Sequence, residues 1–137
     1  MTAISNPIFD PVADHETRWE GVFVVSTGPS PIVSSRGWRP AVNAYRCADQ
    51  FVIFVELAGV PADSIEVRAH PGRVVVRGRR PAPEPASLQS QPAQMLALEI
   101  DQGIFERSLD LPLGIDPRGV ETEYSDGLLQ IRLPFLT

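Results

Sequence analysis

Few side chains in this 137-residue sequence are of the types that perform catalysis or bind metal ions. His15 and His70 are the only histidines and Cys47 is the only cysteine, so no three or four residues have the spacing of a zinc or iron site. All 12 basic residues are arginines, which excludes a phosphate-loop lysine and a Schiff-base lysine. The sequence also lacks a glycine-rich phosphate loop and a glycine-x-serine-x-glycine nucleophile motif. We therefore expect a protein that is not an enzyme and that binds no metal or other cofactor.

Two groups of charged residues have alternative interpretations. Glu99 and Asp101 could be paired carboxylates for acid-base catalysis, but a charged stretch on an exposed strand or turn explains them more simply. The second group consists of Arg73, Arg77, Arg79 and Arg80. Such a cluster can contact nucleic acid, yet the net charge of -5 gives no basic footprint for nucleic acid or an anionic membrane. We interpret these arginines as the solvated face of a strand and the turn beyond it.

Arg107 is the charged residue whose predicted position costs free energy. Residues 105–111 alternate as a strand does, and Arg107 falls on the same face as three apolar residues. A cation in an apolar register is unfavourable unless it is paired. Two interpretations remain open: the guanidinium snorkels at a sheet edge, or it forms an ion pair at a subunit interface with Glu99 or Asp101.

Alternation of apolar and polar residues predicts the strands that position these groups. The alternating segments are residues 64–69, 120–124 and 128–133. Residues 51–57 are apolar on both faces, so something has to cover the face that carries Val52 and Phe54. The Asp-Gly pair at residues 126–127 lies between two alternating runs and signals a hairpin. Short strands without a helical period predict an all-β sandwich.

The composition changes near Trp38. Residues 1–37 mix apolar side chains with proline, serine and glycine in no sustained period, so we expect a flexible N-terminal arm before a single domain. The longest uncharged stretch, residues 21–35, has 15 residues and two prolines, whereas a membrane-spanning helix needs about 20 apolar residues. Acidic residues within the first twenty positions do not fit a secretory signal. We therefore expect a cytoplasmic protein without a membrane span.

A long loop precedes an apolar segment that has no obvious place in the sandwich. Residues 81–94 contain four prolines and cannot form a central strand. The apolar run directly after them consists of Met95, Leu96, Ala97 and Leu98. Long loops in compact domains are usually functional or disordered. An edge strand exchanged with another subunit would give this run the partner surface that it needs.

Several segments, in this order, resemble the alpha-crystallin domain of the small heat shock proteins of the bacterial and plant type. Residues 103–112, GIFERSLDLP, resemble the glycine-x-phenylalanine-x-arginine strand that ends in leucine-proline. Residues 126–134, DGLLQIRLP, resemble the terminal hairpin of that domain. The earlier matching segments are residues 41–45, 51–60, 65–67 and 75–79. The resemblance covers residues 38–134, and it implies an immunoglobulin-like antiparallel β-sandwich between an arm at residues 1–37 and a truncated tail at residues 135–137.

The resemblance implies an ATP-independent holdase chaperone, which binds partly unfolded client proteins and suppresses their aggregation under stress. It also implies a homodimer formed by strand exchange. By resemblance, the exchanged strand comprises Met95, Leu96, Ala97 and Leu98, and the interface interpretation of Arg107 adds Glu99 and Arg107 to the dimer interface. A groove for client segments or a tail motif would be lined by Ile65, Val67, Val120 and Thr122. Ordinary core residues would show the same alternation, so both interpretations of these four residues stay open.

The arm offers a further apolar surface for clients. Its aromatic residues Phe9, Trp19 and Phe23 are candidates for contact with unfolded chains, and we expect Trp19 and Phe23 to anchor the arm on the Val52 and Phe54 face. Family members that form large shells usually continue past the last strand with an isoleucine-x-isoleucine or isoleucine-x-valine motif. This sequence stops without that motif, so we expect dimers or small oligomers.

One alternative function stays open. A β-sandwich adaptor that resembles the CS-domain co-chaperones would bind one folded partner and hold no unfolded clients. That group lacks the loop and strand at residues 81–98, and their presence here favours the small heat shock interpretation.

Overall fold

Two sheets form the molecule. The computed structural model describes the backbone of residues 2–4, 15–19 and 22–26, and it describes residues 37–136 in full. Together these residues form a β-sandwich, which confirms the predicted fold class. Their strands are β1 (Thr2–Ile4), β2 (His15–Trp19), β3 (Val22–Ser26), β4 (Val42–Arg46), β5 (Gln50–Glu56), β6 (Glu66–His70), β7 (Arg73–Arg80), β8 (Gly103–Asp110), β9 (Glu121–Ser125) and β10 (Leu128–Pro134). Short 3-10 helices lie at Ala62–Ser64, Ala86–Gln89 and Pro117–Gly119.

The strand order determines which strands end each sheet. The first sheet has the order β1-β9-β10-β5-β4, and the second has the order β2-β3-β6-β7-β8. Neighbouring strands are antiparallel except for β3 and β6, which run parallel. β1 and β4 are therefore the edge strands of the first sheet, and β2 and β8 are those of the second. β4 and β8 lie on one side of the sandwich, where Arg107 of β8 bonds to Pro40, and β1 and β2 lie on the other side.

The core lies between the sheets, where the alternation places the apolar residues. In β5, Ile53 and Val55 are fully buried, and Ile53 is paired with Ile131 of β10. The second sheet contributes Val67 and Phe105, which are also fully buried, to the same cluster. Burial of one such side chain stabilises a fold by about 1.5 to 3 kcal/mol. The alternating apolar set thus explains the two-layer arrangement.

The Asp-Gly pair forms the hairpin that its sequence predicts. Asp126 and Gly127 have φ values of 53° and 78°, so both lie in the left-handed region that a two-residue turn of this type requires. The carbonyl oxygen of Gly127 accepts a 2.7 Å hydrogen bond from the backbone N–H of Leu57. A Cβ atom at position 127 would lie 2.8 Å from the Cα atom of Ala58. Only glycine fits both the conformation and the close approach.

The outer face of β5 is covered within its own sheet. The rings of Tyr45 and Phe54 meet edge to face with centroids 6.2 Å apart, and Arg132 lies opposite Val52. β2 and β3 belong to the other sheet. The hypothesis that the arm covers the Val52 and Phe54 face through Trp19 and Phe23 is therefore wrong, because the strands that hold those aromatic residues lie on the far side of the sandwich.

The arm region contributes three strands that the sequence did not predict. β1 pairs with β9, with Ile4 opposite Thr122. β2 and β3 form a hairpin that adds to β6, with Val24 opposite Val67. Phe9 lies outside the described residues. The part of the arm that the structure describes thus extends both sheets at the same side of the sandwich.

Candidate functional site

β4 is one of the two edge strands of the first sheet. Among the described strands, β4 has a neighbour only on the β5 side. Its residues from Asn43 to Arg46 are exposed, and the side chain of Tyr45 is 52% exposed. An edge of this kind presents unpaired N–H and C=O groups that can accept a further strand. β4 is therefore a surface suited to β-strand addition.

The loop between β7 and β8, residues 81–102 (the long loop), carries the exposed apolar run. Met95, Leu96, Ala97 and Leu98 form no strand in a single chain, and all four are exposed. The exposed fraction reaches 86% at Leu96. Residues 82–88 and 93–102 enclose an open cavity of about 430 Å³ between them. Water therefore surrounds a run of side chains whose burial would be favourable.

The side chains of Arg80 and Trp38 bond to the chain where the long loop ends and β8 begins. Arg80, the last residue of β7, donates hydrogen bonds from Nε to the carbonyl oxygen of Asp101 (2.8 Å) and from Nη1 to that of Ala58 (3.0 Å). Its guanidinium also lies 4.0 Å from the centroid of the Trp38 ring. Trp38 Nε1 donates a 3.1 Å hydrogen bond to the carbonyl oxygen of Gly103. Sequence reasoning grouped Arg80 with the solvated arginines and missed these contacts.

The other arginines of that group lie on the outer face of the second sheet or beyond it. Arg77 Nε lies 2.6 Å from a carboxylate oxygen of Glu106, and Arg73 Nε lies 3.6 Å from one of Asp110. Arg79 is exposed. These positions agree with the predicted solvated face, whose positive charges are balanced by acidic residues on the neighbouring strand.

Arg107 bonds to the backbone rather than to a carboxylate. Its Nη1 donates a 3.1 Å hydrogen bond to the carbonyl oxygen of Pro40, and no ion pair joins it to another described residue. Its Nε is buried without a hydrogen-bond partner in the described region. Burial, and then the nearby charge of Arg39, lower the pKa of Arg107. Within one chain, the structure does not bring Glu99 or Asp101 to this guanidinium.

The four residues of the predicted groove are buried. Ile65, Val67 and Val120 are fully buried and Thr122 is 1% exposed. Val67 lies in β6 and Thr122 in β9, and both strands are paired with arm strands on their outer sides. The hydroxyl of Thr122 has no hydrogen-bond partner among the described residues. The structure thus places Val67 and Thr122 in, and Ile65 and Val120 directly before, two strands whose outer edges pair with arm strands.

Tyr124 connects β9 to the turn at residues 57–60. The sequence analysis did not identify this residue. Its hydroxyl oxygen lies 2.7 Å from the carbonyl oxygens of both Leu57 and Val60, to which its single proton can be donated. Burial, and then the negative charge of Glu56, raise the pKa of Tyr124. The position of Tyr124 on the inward face of β9 could have indicated this hydrogen bond, because a buried tyrosine hydroxyl usually has a partner. The side chain ties β9 to the turn that precedes β6.

The described residues offer no metal centre and no membrane-spanning helix. Nowhere in residues 37–136 do three histidine, cysteine, aspartate or glutamate side chains lie close enough together to hold a metal ion. None of the short helices in the described part of the chain has the length or hydropathy to cross a bilayer.

Comparison with known sequences gives one family. The sequence model of the Hsp20/alpha crystallin family matches residues 44–137. The chain is 35% identical over 99 residues to 18 kDa antigen 1 of Mycobacterium intracellulare, which covers 70% of this chain and 62% of that protein. It is also 35% identical over 99 residues to 18 kDa antigen 2 of Mycobacterium avium, covering 70% and 67% of the two chains. The chain thus spans less than two thirds of the length of the first of these relatives.

Comparison with solved structures gives the same fold. The small heat-shock protein from Xylella fastidiosa, described as having a distinct high order structure, has a TM-score of 0.62 and 29% identity, covering 74% of this chain and 90% of that chain. Heat shock protein 16.0 from Schizosaccharomyces pombe has a TM-score of 0.62 and 26% identity, covering 72% and 87% of the two chains.

Proposed function

Because the chain belongs to the Hsp20/alpha crystallin family of small heat shock proteins, we propose that it is an ATP-independent holdase that binds partly unfolded proteins and suppresses their aggregation in the cytoplasm. Members of this family are ATP-independent chaperones and not enzymes. The observation that carries the proposal is the pairing of the arm strands β1 and β3 with the outer edges of β9 and β6, two sheet edges that an unfolded segment could occupy in their place. Holding unfolded chains requires such surfaces and no catalytic group.

The proposed assembly unit is a homodimer formed by strand exchange. In it, Met95, Leu96, Ala97 and Leu98 of one copy add to β4 of the second copy. Residues 43–46 supply the exposed edge, and the apolar run supplies side chains that water surrounds in a single chain. Burying one large apolar side chain contributes about 1.5 to 3 kcal/mol, so three such residues per subunit can offset the cost of association.

Arg107 is proposed to belong to the same interface. Its buried Nε lacks a partner in the described residues, and Arg39 places a second positive charge nearby. Glu99 is exposed and follows directly on the apolar run, so strand exchange would carry it to the second copy. The carboxylate of Glu99 from the second copy would then pair with Arg107. Arg107 belongs to β8, and its hydrogen bond to Pro40 holds its guanidinium beside the start of β4.

Client segments are proposed to bind where the arm now pairs with the sandwich. The outer edge of β9 is paired with β1, and the outer edge of β6 is paired with β3. A client or tail segment would replace β1 or β3 there, next to the buried residues Ile65, Val67, Val120 and Thr122. Strand replacement conserves the backbone hydrogen bonds. The arm aromatic residues Phe9, Trp19 and Phe23 are proposed to contact the client. This proposal keeps residues 1–37 as the arm, residues 38–134 as the alpha-crystallin domain and residues 135–137 as the tail.

Light scattering tests the proposed activity. A heat-labile model protein is warmed without ATP, alone, with this chain, or with lysozyme as an inert control. We expect the chain to suppress scattering at near-equimolar ratios, whereas lysozyme should not. Unchanged scattering at a several-fold excess of the chain would contradict the proposed holdase function and favour an adaptor.

A further inference from the structure

The two backbone ends of the long loop meet at the last pair of the β7–β8 ladder. Arg80 is paired with Gly103, and the ladder ends there. The side chain of Arg80 extends this closure, because its Nε holds the carbonyl oxygen of Asp101, two residues outside the ladder. The returning limb of the loop is thereby fixed before β8 begins. Its direction determines where the apolar run points.

Trp38 fixes the first residues of β8, where that limb ends. Its backbone N–H donates to the carbonyl oxygen of Ile104 (3.2 Å), its indole N–H donates to that of Gly103, and its ring packs on Phe105 with centroids 5.2 Å apart. The preceding residue, Gly37, has a φ of +93°, and a Cβ atom there would lie 1.8 Å from the carbonyl oxygen of Ile104. The end of the arm therefore packs against the first residues of β8, where the long loop ends.

The guanidinium of Arg80 joins these two attachments. It stacks on the Trp38 ring while it bonds to Asp101 and Ala58. A planar guanidinium can stack and donate several fixed hydrogen bonds at once, which an ammonium group cannot do. The contacts of Arg80 lie at the boundary of the long loop, and Trp38 connects them to the core through Phe105. Their geometry fits a role in orienting the loop.

We propose that Arg80 and Trp38 are positioning residues that aim the long loop at the second copy, so that strand exchange depends on their stacked, hydrogen-bonded arrangement. The inference rests on the proposed dimer and deepens it. Without this arrangement, the returning limb would sample many directions, and the apolar run would have to be ordered at the moment of association. The cost of that ordering would appear as weaker dimerisation.

The test compares Arg80→Ala with Arg79→Ala. Both variants remove one positive charge from adjacent positions, but the side chain of Arg79 is exposed and forms no ion pair with the described residues. Dimer dissociation constants are measured by analytical ultracentrifugation, and thermal unfolding is followed by circular dichroism. We expect Arg80→Ala to raise the dissociation constant about tenfold or more, because the freed limb then has to be ordered on association, while Arg79→Ala leaves it unchanged. Arg80→Lys should restore only part of the affinity.

A second readout is independent of dimerisation. In a Trp19→Phe background, the fluorescence of Trp38 reports its stacking, and amide hydrogen exchange reports residues 99–103. Arg80→Ala should shift the Trp38 emission to the red and speed that exchange while the core strands keep their protection. Equal dissociation constants and equal exchange for Arg80→Ala and Arg79→Ala would overturn the inference. A wild-type chain that stays monomeric would instead overturn the proposed dimer, and the fluorescence and exchange would still decide whether Arg80 orders the loop.

Discussion

Arg107 donates a 3.1 Å hydrogen bond from Nη1 to the carbonyl oxygen of Pro40, so β8 is fastened to the chain two residues before β4 begins. A partly buried cation thus supports the edge that we propose as the acceptor for a second copy. The bond joins β8, an edge strand of the second sheet, to the segment that leads into β4, an edge strand of the first.

If Arg107 forms the proposed ion pair at the interface, Arg107→Ala should weaken the dimer by about 3 kcal/mol, because loss of one member of a buried pair leaves the other charge unpaired. The measurement is the dimer dissociation constant of Arg107→Ala, Glu99→Gln and the double variant. If Glu99 of the second copy pairs with Arg107, the double variant should lose little more than Arg107→Ala alone. Strictly additive losses would exclude this pair, and an unchanged dissociation constant for Arg107→Ala would favour the snorkelling interpretation.

Tyr124→Phe should lower the free energy of unfolding by about 1 kcal/mol near neutral pH, since the hydroxyl donates its proton to the carbonyl oxygen of Leu57 or of Val60. Tyr45→Phe is the matched control, because the side chain of Tyr45 is 52% exposed. Urea unfolding of both variants measures the difference. Equal stability of the two variants would contradict the assigned hydrogen bonds.

The raised pKa of Tyr124 predicts an alkaline loss of stability. Burial and Glu56 disfavour the phenolate in the folded state. The stabilisation is therefore fully present below the unfolded-state pKa, about 10, and is lost as the pH rises through the folded-state value. Wild type should lose stability above about pH 10 more steeply than Tyr124→Phe does. Parallel pH profiles of the two proteins would refute the raised pKa.

Gly127→Ala should destabilise the fold more than Gly114→Ala. Both glycines have positive φ values, 78° and 87°, so alanine is strained at either position. At position 127 the new Cβ would also meet Ala58, whereas nothing lies within 4 Å at position 114. We expect a further loss of about 1 to 3 kcal/mol for Gly127→Ala, measured by urea unfolding. Equal losses would mean that the turn moves away from Ala58 without cost.

Thr122→Val should raise the stability of the chain by about 1 kcal/mol. The two side chains have similar shapes, and the change replaces a buried hydroxyl that has no partner in the described residues. Thr122→Ser is the control, since it keeps the hydroxyl and removes the methyl group, and it should lower stability. A lower melting temperature for Thr122→Val would show that the hydroxyl is satisfied in solution.

The parts of the fold that local alternation specifies were predicted from the sequence. β6, β9 and β10 follow from period-two patterns, β5 follows from a run that is apolar on both faces, and the turn at Asp126 and Gly127 follows from its two residue types. The arm strands β1 to β3 were not predicted. They are short, and their pairing depends on edges supplied by β9 and β6, far along the chain.

The candidate site was predicted less completely for a physical reason. The sequence placed Arg107 on an apolar face, but its acceptor is the backbone carbonyl of Pro40, which has no side-chain signature. The contacts of Arg80 and Tyr124 also end on carbonyl oxygens of distant residues. Patterns of residue types reveal which face a side chain takes, and only the folded chain reveals which backbone groups it meets.

Amide hydrogen exchange as a function of protein concentration tests the central claim most directly, namely that the apolar run of the long loop pairs with β4 of a second copy. At high concentration, residues 95–98 and 43–46 should be protected together, and dilution should release both segments together. A variant with Met95, Leu96 and Leu98 replaced by serine should show neither protection. Rapid exchange of both segments at every concentration, in a chain whose core strands stay protected, would contradict the account.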